Sequence, residues 1–359
     1  MLMIGSGYVL DATLITIPSL VIRETKSDFW QPHLVALVYG LIAVALMLAV
    51  ASRFPRQDFF DGITGRHPTF GRAIVLGYVL FFFAILMRDI RSTVDFVLVA
   101  LLVTTPIFAV AGTLALCLVA IVRRGRLVVG RMSQVWQPLL LIVIVIIPLG
   151  IGLDLNIGHL LPVFQHGPAD VLQGSYYLLS YIGEAIGVAM IVTYRSWSFR
   201  YGMYSVLLGW AVLTLLSFSV VLALGTEIPA RTLYPNYEMV RKVRLTDFLD
   251  RFDLPLIGIW LPAMIVKTSF SLFIVSHGVT RLAPKLKFPW VVAFAGVAAT
   301  VAGMTFIRNT VQLLEFNQFF TVAAIFFQVA LPAMLLFLFR KRKKSEAHPQ
   351  PADGPAAET

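Results

Sequence analysis

Apolar segments of about the length that crosses a bilayer recur along the whole chain, and this pattern restricts the possible folds more than any motif does. Hydrophobic residues make up 58% of the sequence and charged residues only 13%. The pattern predicts an all-α polytopic membrane protein with about ten transmembrane helices. The predicted spans cover about residues 1–22, 33–52, 70–100, 106–122, 132–152, 169–194, 201–224, 253–280, 289–307 and 316–339.

The basic residues are unevenly distributed between the predicted loops. A net charge of +10 could indicate nucleic-acid binding, but the Lys and Arg residues lie in short loops and in the cluster Arg340–Lys344. The loops and tail on the N-terminal side carry more than twice as many of them as the loops on the other side. The positive-inside rule therefore predicts two cytoplasmic termini, and no nucleic-acid partner is needed to explain the charge.

Both ends of the chain have a simple interpretation. The first apolar segment lacks a basic n-region and a small-residue cleavage site, so it is predicted to be a retained helix. Residues 1–340 are predicted to form one transmembrane domain. Residues 341–359 complete the basic cluster and end in a stretch rich in Pro, Ala and acidic residues that is predicted to be disordered.

The third span has two possible limits. Hydropathy alone would place Arg88–Arg91 and Asp95 in a loop, followed by the 27-residue apolar run Phe96–Val122. That run is longer than one span requires, and Pro106 disfavours the helical conformation of the residue before it. The sequence therefore favours a long tilted helix that carries Arg88 and Asp89 in its outer half, with the loop as the alternative.

Three charged residues lie near the centres of predicted spans, and a fourth, Arg88, lies in the outer half of another. Asp11, Glu184 and Lys267 each have at least ten uncharged residues on both sides. Three unpaired ions at this depth would cost roughly 8 to 10 kcal/mol. Asp11, Glu184 and Lys267 are therefore predicted to face one another or a shared cavity.

Ten spans divide into two repeats of five, about residues 1–152 and 169–339, and an odd number of crossings inverts the second repeat relative to the first. The first helix of each repeat carries an acid, Asp11 or Glu184, and the third carries a base, Arg88 or Lys267. The pattern predicts a five-plus-five inverted-repeat transporter fold. The alternative is a coincidence of unrelated salt bridges.

Both acids lie beside residues that interrupt helices. Pro18 follows Asp11, and Glu184 lies between Gly183 and Gly187. Broken helices in such folds expose half-helix termini to the ligand, so the first and sixth helices are predicted to be broken. Pro18 and the glycines could instead only kink the helices or permit close packing. The predicted ligand-binding residues are Asp11, Ala12, Thr13, Gly183 and Glu184.

Enzyme and metal chemistry find little support in the sequence. The chain contains no His-Glu-x-x-His zinc motif, no Gly-x-Ser-x-Gly elbow and no phosphate-binding Gly-rich loop. His159 and His166 share a predicted outer loop with Asp154 and Asp170, but polar residues in a loop are usually only solvated. Cys117 lies in an apolar run. We therefore assign no catalytic residue, metal or cofactor.

A set of short motifs resembles the GerAB family of spore germination permease-like proteins, the B subunits of germinant receptors. The main match runs from Tyr234-Pro235-Asn236 through Phe248–Asp253 to Ile259-Trp260. The supporting matches are Leu160-Leu161-Pro162, Gly183-Glu184, Thr105-Pro106 and Lys267.

The resemblance implies the amino acid/polyamine/organocation transporter fold and a location in the spore inner membrane. It also implies a small nutrient ligand, often an amino acid, and A-type and C-type partner subunits. Where the family usually has a Gly-x-Gly-like break, this chain has Asp11-Ala12-Thr13. The usual ligands of the family are therefore a poor guide to the ligand of this chain.

The resemblance also suggests a role for Lys267. Sodium-coupled members of this fold hold a cation between the first and eighth helices. Here the Lys267 ammonium, beside Thr268 and Ser269, is predicted to act as a tethered cation that bonds free carbonyls of the first helix and offsets Asp11 or Glu184, so that sodium is not needed. Arg88 belongs to the same charge network. A single structural salt bridge is the alternative.

The outer segment 236–252 has apolar residues on roughly one helical face, which predicts an interfacial helix, a ligand gate or a partner-docking surface. Three functions remain open. A receptor subunit would sense a nutrient, a permease would transport an amino acid, and a membrane enzyme is the most distant possibility. The resemblance favours the receptor subunit.

Overall fold

The computed structural model describes residues 1–152, 155–241 and 253–339, and the regular elements within these ranges are helices. The predicted tail 341–359, the cluster Arg340–Lys344 and most of the outer segment 236–252 lie outside them. The helices are α1 (Leu2–Leu10), α2 (Thr13–Thr25), α3 (Trp30–Ala51), α4 (Phe59–Arg66), α5 (Pro68–Ala100), α6 (Ile107–Arg123), α7 (Arg126–Ile151), α8 (Pro168–Ile182), α9 (Val188–Ile191), α10 (Phe199–Leu224), α11 (Glu227–Arg231), α12 (Pro235–Val240), α13 (Asp253–Leu282), α14 (Phe288–Phe306), α15 (Thr310–Ile325) and α16 (Leu331–Leu338).

Within the described ranges these helices form ten spans. Seven continuous helical stretches are long and apolar enough to cross a membrane. The other three spans are α6, which has 17 residues, and the two interrupted spans α1–α2 and α8–α9. The predicted all-α fold of about ten spans is confirmed. The short helices α4, α11 and α12 lie between spans.

The first and sixth spans are broken, as predicted. In the first span, α1 ends before Asp11 and α2 begins after Ala12, although both residues keep helical dihedral angles. In the sixth span, a 3₁₀ turn over Gly183–Gly187 separates α8 from the four-residue helix α9. Such changes of helix type leave backbone groups that need other partners.

The third span is a single helix of 33 residues that includes Arg88, Asp89 and Asp95, so the loop alternative is wrong. It ends at Ala100, and Pro106 occupies the N-cap position of α6. The helix remains regular because its charged side chains are buried against other helices and pair with them.

Buried and exposed helix surfaces lie in different parts of the protein. The helices α1, α5 and α13 and the turn 183–187 meet at the centre of the protein. Close packing there requires small residues: a Cβ at Gly209 of α10 would approach the Ser6 carbonyl oxygen to 2.9 Å. The helices α6 and α14 lie at the periphery and expose side chains such as Phe108 and Phe294, as expected for surfaces that face lipid.

Candidate functional site

Four charged side chains meet at the centre of the helix bundle, and we call them the ion quartet: Arg88, Asp89, Glu184 and Lys267. The Arg88 guanidinium lies 2.7 Å from Asp89 Oδ1 and 2.6 Å from Glu184 Oε1. Lys267 Nζ lies 2.9 Å from Asp89 Oδ2 and 2.9 Å from Glu184 Oε2. Each carboxylate therefore bridges both cations.

The formal charges of the quartet sum to zero, and its side chains are almost completely buried. Its four side chains are at most 1% exposed. The ring centroid of Tyr181 lies 4.0 Å from the Arg88 guanidinium carbon, and that of Tyr8 lies 5.7 Å from Lys267 Nζ. Buried ions are tolerated when geometry and neighbouring dipoles replace water, and removal of one member leaves an uncompensated charge.

The structure thus brings together three of the residues that the sequence singled out, Arg88, Glu184 and Lys267. Asp89 completes the set and was missed as a site residue, although its position beside Arg88 in a buried helix was a usable signal. The partners of the Lys267 ammonium in the described residues are carboxylates. Its contact with the first span is the face of Tyr8.

Asp11 lies outside the quartet. It is 1% exposed, and its Oδ1 accepts a hydrogen bond from Gln137 Nε2 of α7 at 3.1 Å. Among the described residues, no Lys, Arg or His side chain lies within 4 Å of its carboxylate. Sequence reasoning missed Gln137, because an amide in an apolar helix carries no charge that marks it.

Two side chains from the outer half of the protein bind the backbone at the first break. Trp260 Nε1 donates a hydrogen bond to the Asp11 carbonyl oxygen at 2.9 Å, and Asn236 Nδ2 donates to the Leu14 carbonyl oxygen. Thr13 Oγ1 donates to the Val9 carbonyl oxygen at 2.5 Å, across the break. These donors satisfy backbone groups that the interrupted helix leaves free.

The second break also contacts a glutamine, at a position in the second repeat that corresponds to that of Gln137 in the first repeat. Gln328 lies in a π-helical turn between α15 and α16, and its Nε2 donates to the Ser180 carbonyl oxygen at 2.8 Å. Tyr39 donates to Gln328 Oε1 at 2.8 Å, and Gly183 lies so close that a Cβ there would collide with the amide. In each repeat, a glutamine on the fifth span therefore contacts the broken first span of the same repeat.

Two cavities lie on opposite predicted faces of the helix bundle. On the predicted cytoplasmic face, a cavity of about 360 Å³ is lined by Met1, Ile4, Arg126, Arg131, Gln134 and neighbouring residues of α9 and the loop after it. On the predicted outer face, the space between Leu14, Phe96, Tyr234 and Trp260 is only about 20 Å³.

Metal ligation has little structural support. In the described part of the chain, no three His, Cys, Asp or Glu side chains cluster in a way that could hold a metal ion. His159 Nδ1 hydrogen-bonds the Leu222 carbonyl oxygen, and Asp28 lies beside His166. Asp154 lies outside the described residues. The outer loop is therefore held by hydrogen bonds to α10 and to the turn at Asp28.

The broken first and sixth helices, ten spans and a buried charged centre define an inverted-repeat transporter fold. The fold is similar to that of Mhp1, a nucleobase-cation-symport-1 family transporter solved in a closed conformation with bromovinylhydantoin bound. The TM-score is 0.64 at 15% identity, with coverage of 93% of this chain and 76% of the other.

The sequence profile described as spore germination protein, the spore permease family, matches residues 1–311, and the chain belongs to that family. Two relatives come from Bacillus subtilis strain 168. The putative spore germination protein YfkT is 29% identical over 342 residues, which is 95% of each chain. Spore germination protein KB is 22% identical over 321 residues, covering 86% of this chain and 84% of its own length.

Proposed function

We propose that this chain is the nutrient-sensing membrane subunit of a germinant receptor. It binds a small ligand, most simply an amino acid, near the membrane midplane and transmits a conformational change to partner subunits. Membership of the spore germination family supports the biological role. The observation that carries the site is that the second helix break contributes Glu184 to the buried ion quartet and packs against α1 of the first broken span.

The proposed ligand pocket is formed by Asp11, Ala12, Thr13, Gly183 and Glu184. All five are buried, and α1 packs directly against the turn 183–187. Half-helix ends and freed backbone groups are the usual ligand contacts in folds with discontinuous helices. In this arrangement Lys267 is the tethered cation that holds Glu184 and keeps the centre neutral without sodium.

The proposed location is the spore inner membrane, with both termini in the cytoplasm and with A-type and C-type subunits as partners. The excess of Lys and Arg in the loops on the N-terminal side supports this orientation. The relative spore germination protein KB supports a role in spore germination.

A sodium-independent amino acid permease is the second candidate. The cavity on the predicted cytoplasmic face favours it, because alternating access requires such an opening. If the protein is a receptor, the same cavity is a vestibule that changes shape when the ligand binds.

Reconstituted vesicles separate the two functions. The chain is purified with its partner subunits, and binding and uptake of radiolabelled alanine and leucine are measured together. A receptor should bind without net accumulation, and its partners should change their protease accessibility. Concentrative uptake that survives removal of the partner subunits would favour the permease instead.

A further inference from the structure

The buried centre of the protein contains one carboxyl group, that of Asp11, with no cationic partner among the described residues. The ion quartet contains two cations and two anions and is neutral. Asp11 is a fifth ionisable group, with an amide as its hydrogen-bond partner. Lys267 and Asp89 of the nearby quartet have opposite signs and already bind each other. An ionised carboxylate in this position is costly until a cation joins it.

Glu184 is poorly placed to receive that cation. Its Oε1 lies 2.6 Å from the Arg88 guanidinium, and its Oε2 lies 2.9 Å from the Lys267 ammonium. A ligand cation at Glu184 would have to displace one of these groups. Of the two acids at the helix breaks, Asp11 is therefore the one that has no cationic partner among the described residues.

The surroundings of Asp11 offer acceptors. A Cβ placed on Gly7 would lie 2.9 Å from Asp11 Oδ2 and 3.0 Å from Gln137 Oε1, so both oxygens converge beside this glycine and pack closely against it. The Gln137 amide is oriented by the bond from its Nε2 to Asp11 Oδ1. Two converging oxygens, one of them charged, suit a donor with several N–H groups, and an ammonium has three.

We propose that Asp11, Gln137 and the Gly7 face form the subsite for the ammonium group of the ligand, so that the protein selects compact organic cations and rejects the corresponding carboxylic acids. The inference rests on the proposed function, because it assigns one end of the same ligand pocket. It also names the recognised group: the amine is required, and the ligand carboxylate is dispensable.

Sodium is the competing occupant. It is a monovalent cation that oxygen atoms alone can bind, and an acidic residue beside a helix break offers such atoms. A sodium site at Asp11 would make ligand binding depend on sodium, whereas an ammonium subsite would not.

The test uses the full-length chain in nanodiscs and calorimetric titration with three matched sets of probes. The amino acids alanine and leucine are compared with their decarboxylated amines, ethylamine and 3-methylbutylamine, and with their deaminated acids, propionate and 4-methylpentanoate. Titrations are done in sodium and in potassium at equal ionic strength. The variants are Asp11→Asn, Gly7→Ala and, as an exposed carboxylate-to-amide control, Glu315→Gln.

We expect at least one amine to bind the wild type equally in both salts, and its matched acid not to bind. Asp11→Asn should weaken amine binding at least about 30-fold, as expected for loss of one partner of a buried charge pair. Glu315→Gln should bind as the wild type does. Gly7→Ala keeps the carboxyl group but pushes against both oxygens, so it tests the subsite even if Asp11→Asn does not fold.

Three results overturn the inference alone. These are acids that bind as well as amines, amine binding unchanged by both Asp11→Asn and Gly7→Ala, and a requirement for sodium. If the wild type binds none of the amino acids or amines, the inference and the amino-acid part of the proposed function both fail.

Discussion

At the scale of single residues, the ion quartet sets the chemistry of the protein. Arg88 binds Asp89 through Nε and Nη2, at 3.0 and 2.7 Å, and reaches Glu184 with the same Nη2. This forked geometry is available to a guanidinium but not to an ammonium. Lys267 instead closes the network as a point charge between the two remaining carboxylate oxygens. Arg88 therefore binds the carboxylates through two nitrogens, whereas Lys267 binds them through a single one.

Replacement of Lys267 by Met is expected to destabilise the protein by about 3 to 5 kcal/mol, because it leaves two buried carboxylates with one cation. Ligand response should be lost as well. The measurement is thermal unfolding of the purified protein together with a nutrient-response assay. The double variant Lys267→Met/Glu184→Gln restores neutrality and should recover part of the stability without the response. A single variant with normal stability and response would contradict this role of Lys267.

At the scale of elements, the first helix break is held by side chains that come from distant segments. Trp260 on α13 and Asn236 on α12 bind carbonyl oxygens on either side of Ala12. A movement of α12 or of the start of α13 would therefore change the hydrogen bonds at the break. The helical pattern of α12 and α13 does not indicate this connection to the break.

Trp260→Phe keeps an aromatic ring in place and removes the donor to the Asp11 carbonyl oxygen. A buried acceptor without its partner should cost about 1 to 3 kcal/mol of stability. Ligand affinity should also fall, because the break loses one of its supports. Trp290→Phe, at a residue that is 71% exposed, serves as the control and should change neither quantity. Equal stability of the two variants would show that the hydrogen bond is unimportant.

The outer loops are joined by Asp28, whose carboxylate accepts backbone N–H bonds from Phe164, Gln165 and His166 at 2.6, 2.8 and 3.1 Å. Burial would raise the pKa of Asp28, but these bonds outweigh it and hold the pKa below its ordinary value of 3.8. The ionised form thus stabilises the folded state above about pH 4, and that contribution is lost as the pH falls through the lowered pKa.

We therefore expect Asp28→Asn to lower the melting temperature near neutral pH and to lose less stability than the wild type between about pH 4 and pH 2. Thermal unfolding at a series of pH values measures this difference. If the two proteins have parallel pH profiles in that range, Asp28 is not the group that joins the loops.

At the scale of the whole molecule, the ten spans predict the side on which each loop lies. Tags inserted in 124–130 and at the C-terminus should report cytoplasm, and tags in 154–168 and 228–236 should report the opposite side, because the Lys and Arg distribution favours that orientation. Accessibility of the tags in intact cells and inverted vesicles measures it. A tag in 154–168 on the same side as the C-terminus would exclude the ten-span arrangement.

The sequence by itself determined the class of fold, the two broken helices and three of the four quartet residues. It could do so because span length, helix-breaking residues and charges in apolar surroundings are local properties with large free energies in a membrane. The long third helix also followed from local properties, since Pro106 explained the end of the apolar run better than a loop at Arg88 did.

Only the tertiary structure decided which groups pair. A helix surrounded by other helices is apolar on most faces, so its periodicity does not tell which side chain faces which neighbour. The helix-to-helix contacts therefore select Glu184 for Arg88 and Lys267, and they place Asp11 against Gln137. Packing of distant segments, which no local pattern encodes, is also what brings Trp260 to the first break.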